Sequence, residues 1–223
     1  MEFNVKIKVD SPTHLGAGQA NVNLDADIVN DALGFPYFPA KRFKGLLYES
    51  AVEVFEMFEL AGMNTKNLAS PEKIFHRFSD DKGNVSDTRL IVPNFYIKKV
   101  DEYKKICDEW KFLQANYPEL FSPSDVLNTF TSVRFQTKLE NGIAANGSLH
   151  NLRVLNEGIE FFGKVTILNE SNKVLNLFAL ALKNISVSGT KRNRGFGHIT
   201  CTTIIKNVSL EDFIKKFFQR EAR

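Results

Sequence analysis

The residues best suited to chemistry crowd between positions 24 and 47, in the run LDADIVNDALGFPYFPAKRFKGLL. Asp25, Asp27 and Asp31 are carboxylates that could hold a metal ion or poise a water, and Lys41, Arg42 and Lys44 stand at a helix start, where they could neutralise phosphates. Acids before a proline-stiffened turn and cations after it suit work on a phosphodiester backbone. The plainer reading is a solvated loop followed by ordinary helix decoration, the commoner fate of short charge runs.

A second group lies at Gly189-Thr190-Lys191-Arg192-Asn193-Arg194-Gly195-Phe196-Gly197. Gly189, Gly195 and Gly197 permit positive φ and close approach of a ligand backbone, while Lys191, Arg192 and Arg194 put charge at the same point. Fixed N–H groups plus cations suit phosphate binding, with a solvated turn as the alternative. The Gly-x-x-x-x-Gly-Lys-Ser/Thr pattern of a nucleotide-binding loop is absent. Between the two groups, Arg134, Lys138 and Arg153 accompany Val133, Phe135, Leu139 and Ile143 in a segment turned by Asn141-Gly142. On its own this segment suits a subunit contact as well as an RNA contact. The histidines at 14, 76, 150 and 198 raise acid–base ribonuclease chemistry, against the plainer role of a structural hydrogen bond.

The elements that must position these groups follow from hydrophobic period. Phe3, Val5, Ile7 and Val9 alternate with polar residues as a half-buried strand does. Phe43, Leu46, Leu47, Ser50, Ala51, Val54, Phe55 and Phe58 form one stripe of a helix over 41–58. Residues 90–97 read as a strand that Pro93 demotes toward an edge or bulge. Tyr103, Ile106, Trp110 and Leu113 suggest a helix, and a short helix fits 71–78, with Lys82-Gly83-Asn84 a plausible turn after it. Strands over 131–139 and 149–155 form the two arms of a projecting ribbon. Alternation at 159–167, a helix over 174–185, a last strand through Ile199, Cys201, Thr203 and Ile205, and a helix over 209–221 complete the chain.

Setting insertions aside leaves strand, helix, strand, strand, helix, strand. That α+β order is the ferredoxin-like one also used by RNA-recognition modules. The expected organisation is one domain over 1–223, with core segments at about 1–10, 41–58, 90–98 and 158–206, an insertion at 59–89 and a thumb-like insertion at 118–157.

Composition narrows the partners. The 223 residues, 43% of them hydrophobic, can bury a sizeable core, and most of the twenty phenylalanines should enter it, leaving some as stacking surfaces for bases. A net charge of +3 is too small to establish a nucleic-acid partner, but its distribution is uneven. Residues 171–210 carry six cations and no acid, whereas the first forty carry five acids and two lysines. Cys107 and Cys201 lack metal-ligand spacing and point to a reducing compartment. No apolar leader or bilayer-spanning run is visible, so the expected location is the cytoplasm, away from membranes.

The run at 24–47 resembles the amino-terminal signature of the RAMP superfamily, the RNA-binding proteins of CRISPR effector complexes, and especially the backbone subunits of type III complexes. The elements of likeness are Asp25, Gly34-Phe35-Pro36-Tyr37-Phe38-Pro39 and Phe43-Lys44-Gly45. The late glycine-rich loop resembles that family's own, and residues 134–153 resemble its thumb. The resemblance implies a subunit that binds CRISPR RNA beside other effector subunits, with a thumb wedging the guide–target duplex open. It also implies cleavage of paired single-stranded target RNA with a divalent metal, Mg2+, at Asp25, and Asp27 as a secondary candidate. His14 would serve instead in a metal-independent, transcript-processing relative, and a catalytically silent scaffold is the other alternative. Two departures, Asp27-Ile28 for the more usual Pro-Val and Ala40-Lys41-Arg42 for Gly-Ser-Ser, bring the chain closer to variant type III subunits.

Overall fold

A computed structural model describes residues 1–18, 24–75 and 88–221. His76 and the turn expected at Lys82-Gly83-Asn84 lie outside the described residues. In chain order the strands and helices are β1 (Glu2–Val9), β2 (Tyr37–Phe38), α1 (Ala40–Leu60), α2 (Pro71–Phe75), β3 (Arg89–Ile91), β4 (Phe95–Tyr96), α3 (Val100–Asn116) and α4 (Pro123–Phe130). They continue with β5 (Thr131–Gln136), β6 (Leu139–Glu140), β7 (Ile143–Ala144), β8 (His150–Leu155), β9 (Glu160–Leu168), α5 (Asn172–Asn184), β10 (Ile199–Thr202), β11 (Ile204–Ile205), β12 (Val208–Ser209) and α6 (Leu210–Glu221).

The main sheet is antiparallel, in the order β10-β1-β9-β4-β2, with β3 also paired to β9. Alternation in β1 sends Phe3, Val5, Ile7 and Val9 to one face, where α1 and α5 cover them. The Ser50 hydroxyl inside that layer donates to the Ala181 carbonyl at 2.7 Å, tying α1 to α5. The other face is polar and largely self-paired, with Lys6 on Glu160 at 2.9 Å and Lys164 on Glu2 at 3.1 Å.

Three elements depart from the sequence expectation. The strand over 90–97 is two short strands, because Pro93 cannot donate to a ladder and the chain bends there. The bend has a use: Asn94 Oδ1 accepts the Ala40 N–H at 2.8 Å, supplying the cap that Pro39 lacks at the start of α1. The last strand stops at Thr202, where the Thr203 hydroxyl turns to the Asn4 carbonyl at 2.9 Å. Ile204 and Ile205 instead enter a separate ribbon with β12, turned by Lys206 and Asn207, both at positive φ. Finally, α4 was not anticipated, although Ser122 and Asp125 form a capping box just before it and Pro123 opens its first turn.

A second, smaller apolar cluster of Phe35, Tyr103 and Val126 joins the proline-rich turn to α3 and α4. Asp31 is its polar pin. Oδ1 accepts the Leu33 and Phe35 N–H groups at 2.9 Å each, and Oδ2 accepts the Tyr103 hydroxyl. Burial and that carboxylate push the Tyr103 phenol well above its ordinary range.

Gly34 closes this turn at φ 92°, and a Cβ there would lie 1.9 Å from the Pro123 carbonyl oxygen. Gly34→Ala is therefore expected to cost about 2–4 kcal/mol, from left-handed strain plus overpacking. Gly62, at φ 66° with open space around it, should cost about 1 kcal/mol on the same change. Urea unfolding of the two variants checks the difference.

Candidate nucleic-acid interface

The site is built around β8. One edge of this strand pairs with β5, with Arg134 opposite Leu152, Phe135 opposite Asn151 and Gln136 opposite His150. Its other edge would leave alternate N–H groups bare, and residues from the first thirty satisfy each of them. The Asn151 N–H donates to Asp25 Oδ2 at 2.8 Å, the Arg153 N–H to the Ala26 carbonyl at 3.0 Å, and the Leu155 N–H to the Thr13 carbonyl at 2.8 Å. The loop carrying the acids is thereby laid along the base of the thumb.

This arrangement separates the three aspartates. Asp25 is exposed, with its own N–H donated to Asn151 Oδ1 at 2.9 Å. Asp27 is ion-paired with Arg153, Oδ1 to Nε at 3.1 Å, and both side chains are only 13% exposed. Asp31 is spent on the turn and on Tyr103. The three aspartates therefore do not converge on one point: among the described residues no group of three or more His, Cys, Asp or Glu is placed to hold a metal ion. Asp25 alone remains as an accessible carboxylate. Magnesium is commonly held by one or two carboxylates together with substrate phosphates and waters, so the exposed Asp25 carboxylate would fit as the protein's ligand to an ion shared with a phosphodiester.

His14 is 5% exposed. Its Nδ1 lies 2.7 Å from the Arg153 carbonyl, so Nδ1 carries the proton, and Gly16 packs against Nε2. The residue is an internal strut between the acidic loop and β8, not a group presented to solvent.

The glycine-rich loop docks on the same strut. The Thr190 N–H reaches the His14 carbonyl at 3.3 Å and the Gly197 N–H reaches the Pro12 carbonyl at 3.0 Å. A Cβ on Gly189 would sit 2.5 Å from the His14 carbonyl oxygen, and one on Gly197 2.1 Å from that of Ser188, which explains why glycine is needed at both. Beyond these fastenings the chain makes a 3-10 turn over Arg192–Arg194, entered through Lys191 and left through Gly195, both left-handed. Arg192 and Arg194 are exposed. The Lys191 ammonium folds onto the thumb instead, donating to Gln136 Oε1 and lying 3.0 Å from His150 Nε2. Burial and the neighbouring Arg194 hold that ammonium below its ordinary value. His150, Gly189, Thr190, Lys191, Arg192 and Arg194 together line a basic concavity against the thumb.

The remaining candidates divide between solvent and the interior. Arg134 is exposed and Lys138 is paired with Glu140 at 2.7 Å. Phe135 near the end of β5, and Leu139, Ile143 and Leu149 on the ribbon beyond, are each more than 60% exposed, an apolar tip between basic flanks. Arg153 is committed inward, to Asp27, to Asn128 at 2.7 Å and to Thr131 at 2.9 Å. Lys41 is exposed, Lys44 half-buried, and Arg42 donates to the Gly16 carbonyl at 2.9 Å. Lys41 and Arg42, with no acid in the first turn of α1, and Lys44 just beyond it oppose the helix dipole, and they make that end attractive to an anion.

Sequence reasoning missed Gln136 and Asn151, and read His150 only as an acid–base candidate, not as a contact of the basic loop. Nothing local marks them, since each acquires its role from a partner 41 to 126 residues away.

The sequence matches the family model of the RAMP superfamily across residues 6–200, and the chain belongs to that superfamily. Comparison with curated protein sequences finds no match. The fold is similar to a chain of the cryo-EM structure of the Type III-B Cmr-beta bound to cognate target RNA, with TM-score 0.59, 13% identity, and coverage of 95% of this chain and 98% of that one. It is also similar to a chain of the Type III-B Cmr-beta cryo-EM structure of the apo state, with TM-score 0.59, 12% identity, and coverage of 93% and 99%. At such identity the likeness is one of fold.

Replacing Lys191, Arg192 and Arg194 together with alanine should weaken RNA binding across sequences and lower the slope of log affinity against log salt by about 1.4 for single strands, at roughly 0.7 for each of the contacts of Arg192 and Arg194, Lys191 being held on the thumb. A filter-binding titration at several salt concentrations checks both changes.

Proposed function

We propose that this chain is a cytoplasmic, RNA-binding backbone subunit of a type III-like CRISPR effector complex that cuts guide-paired target RNA through Asp25. The carrying observation is that one strand, β8, is fastened to the basic loop through His150 and to Asp25 through Asn151. A strand that places phosphate-binding cations and an exposed carboxylate in fixed relation is suited to gripping one nucleic-acid strand while presenting another to an acid. The superfamily membership supports this reading, as does the fold shared with Cmr-beta chains. We read the core as ferredoxin-like, because β10-β1-β9-β4 with α1 and α5 on one face reproduces that strand order. No described helix is long and apolar enough to cross a membrane.

In this reading CRISPR RNA lies in the concavity of the glycine-rich loop, where Arg192, Arg194 and the loop N–H groups meet its phosphates. Lys41 and Lys44 extend the cationic track at the start of α1. The apolar thumb tip reaches the duplex and the neighbouring subunit, where exposed Leu139 and Ile143 exchange water for a partner. At Asp25 the reaction is attack by a 2′-hydroxyl on the adjacent phosphorus, releasing the 5′ oxygen as leaving group. A divalent ion held by Asp25 and the phosphate would offset the charge that develops on the phosphoryl oxygens. Asp25 itself either holds that ion or orients the attacking hydroxyl, while the protein binds both strands elsewhere. A silent scaffold shares every binding feature and gains support from the diversion of Asp27 to Arg153, which leaves Asp25 without a second acid. The transcript-processing alternative would need His14 exposed, whereas the fold buries it.

Asp25→Ala in the reconstituted complex should leave guide and target binding intact and slow magnesium-dependent target cleavage by about 100-fold or more. Denaturing gels of labelled target RNA, with and without magnesium, check this; wild-type complex that never cuts would return the scaffold reading. Leu139→Ser with Ile143→Ser should leave the fold intact and weaken guide-driven association with neighbouring subunits, as measured by native mass spectrometry.

A further inference from the structure

We infer that Asn151 is the positioning residue that aims the Asp25 carboxylate, an inference that rests on the cleavage role proposed for Asp25. The two residues hold each other through a pair of hydrogen bonds running in opposite directions. Asn151 Oδ1 accepts the Asp25 N–H at 2.9 Å, and the Asn151 N–H donates to Asp25 Oδ2 at 2.8 Å. One bond fixes the backbone of Asp25 and the other fixes its side chain, so the ring they close leaves the carboxylate little rotational freedom. The next link, the Arg153 N–H on the Ala26 carbonyl at 3.0 Å, prevents the loop from slipping along β8. Leu24 and Ile28, both buried, anchor the loop on either side.

The consequence lies in what remains available. With Oδ2 held by the Asn151 N–H, the other carboxylate oxygen carries no hydrogen bond among the described residues. It is the atom free to take a metal ion or a hydroxyl proton. An exposed loop aspartate would otherwise sample several rotamers, and a misplacement of about 1 Å can cost on the order of 100-fold in rate. Asn151 can hold this geometry because it sits on a paired strand, opposite Phe135, and not on a loop of its own.

The test uses the complex reconstituted with guide RNA and compares wild type with Asn151→Ala, Asn151→Asp and Asp25→Ala. Three quantities are read: single-turnover cleavage at saturating target, target affinity, and the magnesium concentration giving half-maximal rate. Asn151→Ala keeps the backbone donor but loses the acceptor, so the expected result is a rate lower by about 10–100-fold, a raised magnesium requirement, and target affinity within about twofold of wild type. Asn151→Asp restores an acceptor for the Asp25 N–H and should recover most of the rate at high magnesium. Asn151→Ala cutting at the wild-type rate while Asp25→Ala does not cut would overturn the inference and leave the proposed function standing. Loss of target affinity in parallel with rate would also overturn it, by making Asn151 a merely structural residue. Asp25→Ala cutting as fast as wild type, or wild type never cutting, would overturn both.

Discussion

The arrangement depends on one constraint: β8 is a two-edged strand with, among the described residues, only one strand partner. Its outer N–H groups at 151, 153 and 155 must find acceptors, and the segments around 13 and 25–26 provide them. Satisfying those three donors draws the acidic loop onto the thumb, and the same segment supplies the His14 and Pro12 carbonyls on which the glycine-rich loop rests. Acid, thumb and basic loop are therefore assembled by backbone hydrogen bonding, with the main sheet serving as the support from which each segment departs.

Charge is used in two ways around that framework. Some cations are drawn inward: Arg153 neutralises Asp27, Arg42 ties the acidic loop to α1, and Lys191 joins the basic loop to the thumb. The Asp27–Arg153 pair is largely withdrawn from water, and removing one partner of such a pair is costlier than the pair's net contribution. The cations left at the surface, Arg192, Arg194, Arg134 and Lys41, are the ones available to a polyanion. The modest net charge thus conceals a division between internal struts and an exposed basic track.

Much of the fold was legible because hydrophobic period reports on burial. The alternation of β1 and β9 and the stripes of α1, α5 and α6 predicted their elements to within a few residues, and Asn141-Gly142 placed the tip turn of the thumb, both residues at positive φ. The misses have local causes. A single apolar run at 199–205 did not reveal that Thr203 would turn its hydroxyl to Asn4 and end the strand. The capping box before α4 was present but was absorbed into a segment read as thumb.

By itself the sequence determined which residue types were available: an acid-rich loop, a proline-stiffened turn, a glycine-bounded basic loop and an apolar ribbon tip, in an order that carries the superfamily signature. Only the tertiary structure decided how they were spent. Asp25, Asp27 and Asp31 are indistinguishable as short-range signals, yet one faces solvent against Asn151, one is locked to Arg153, and one pins Tyr103. The physical reason is that periodicity encodes whether a position is buried, while the partner of a polar group is set by chain segments brought together from 72 to 126 residues away.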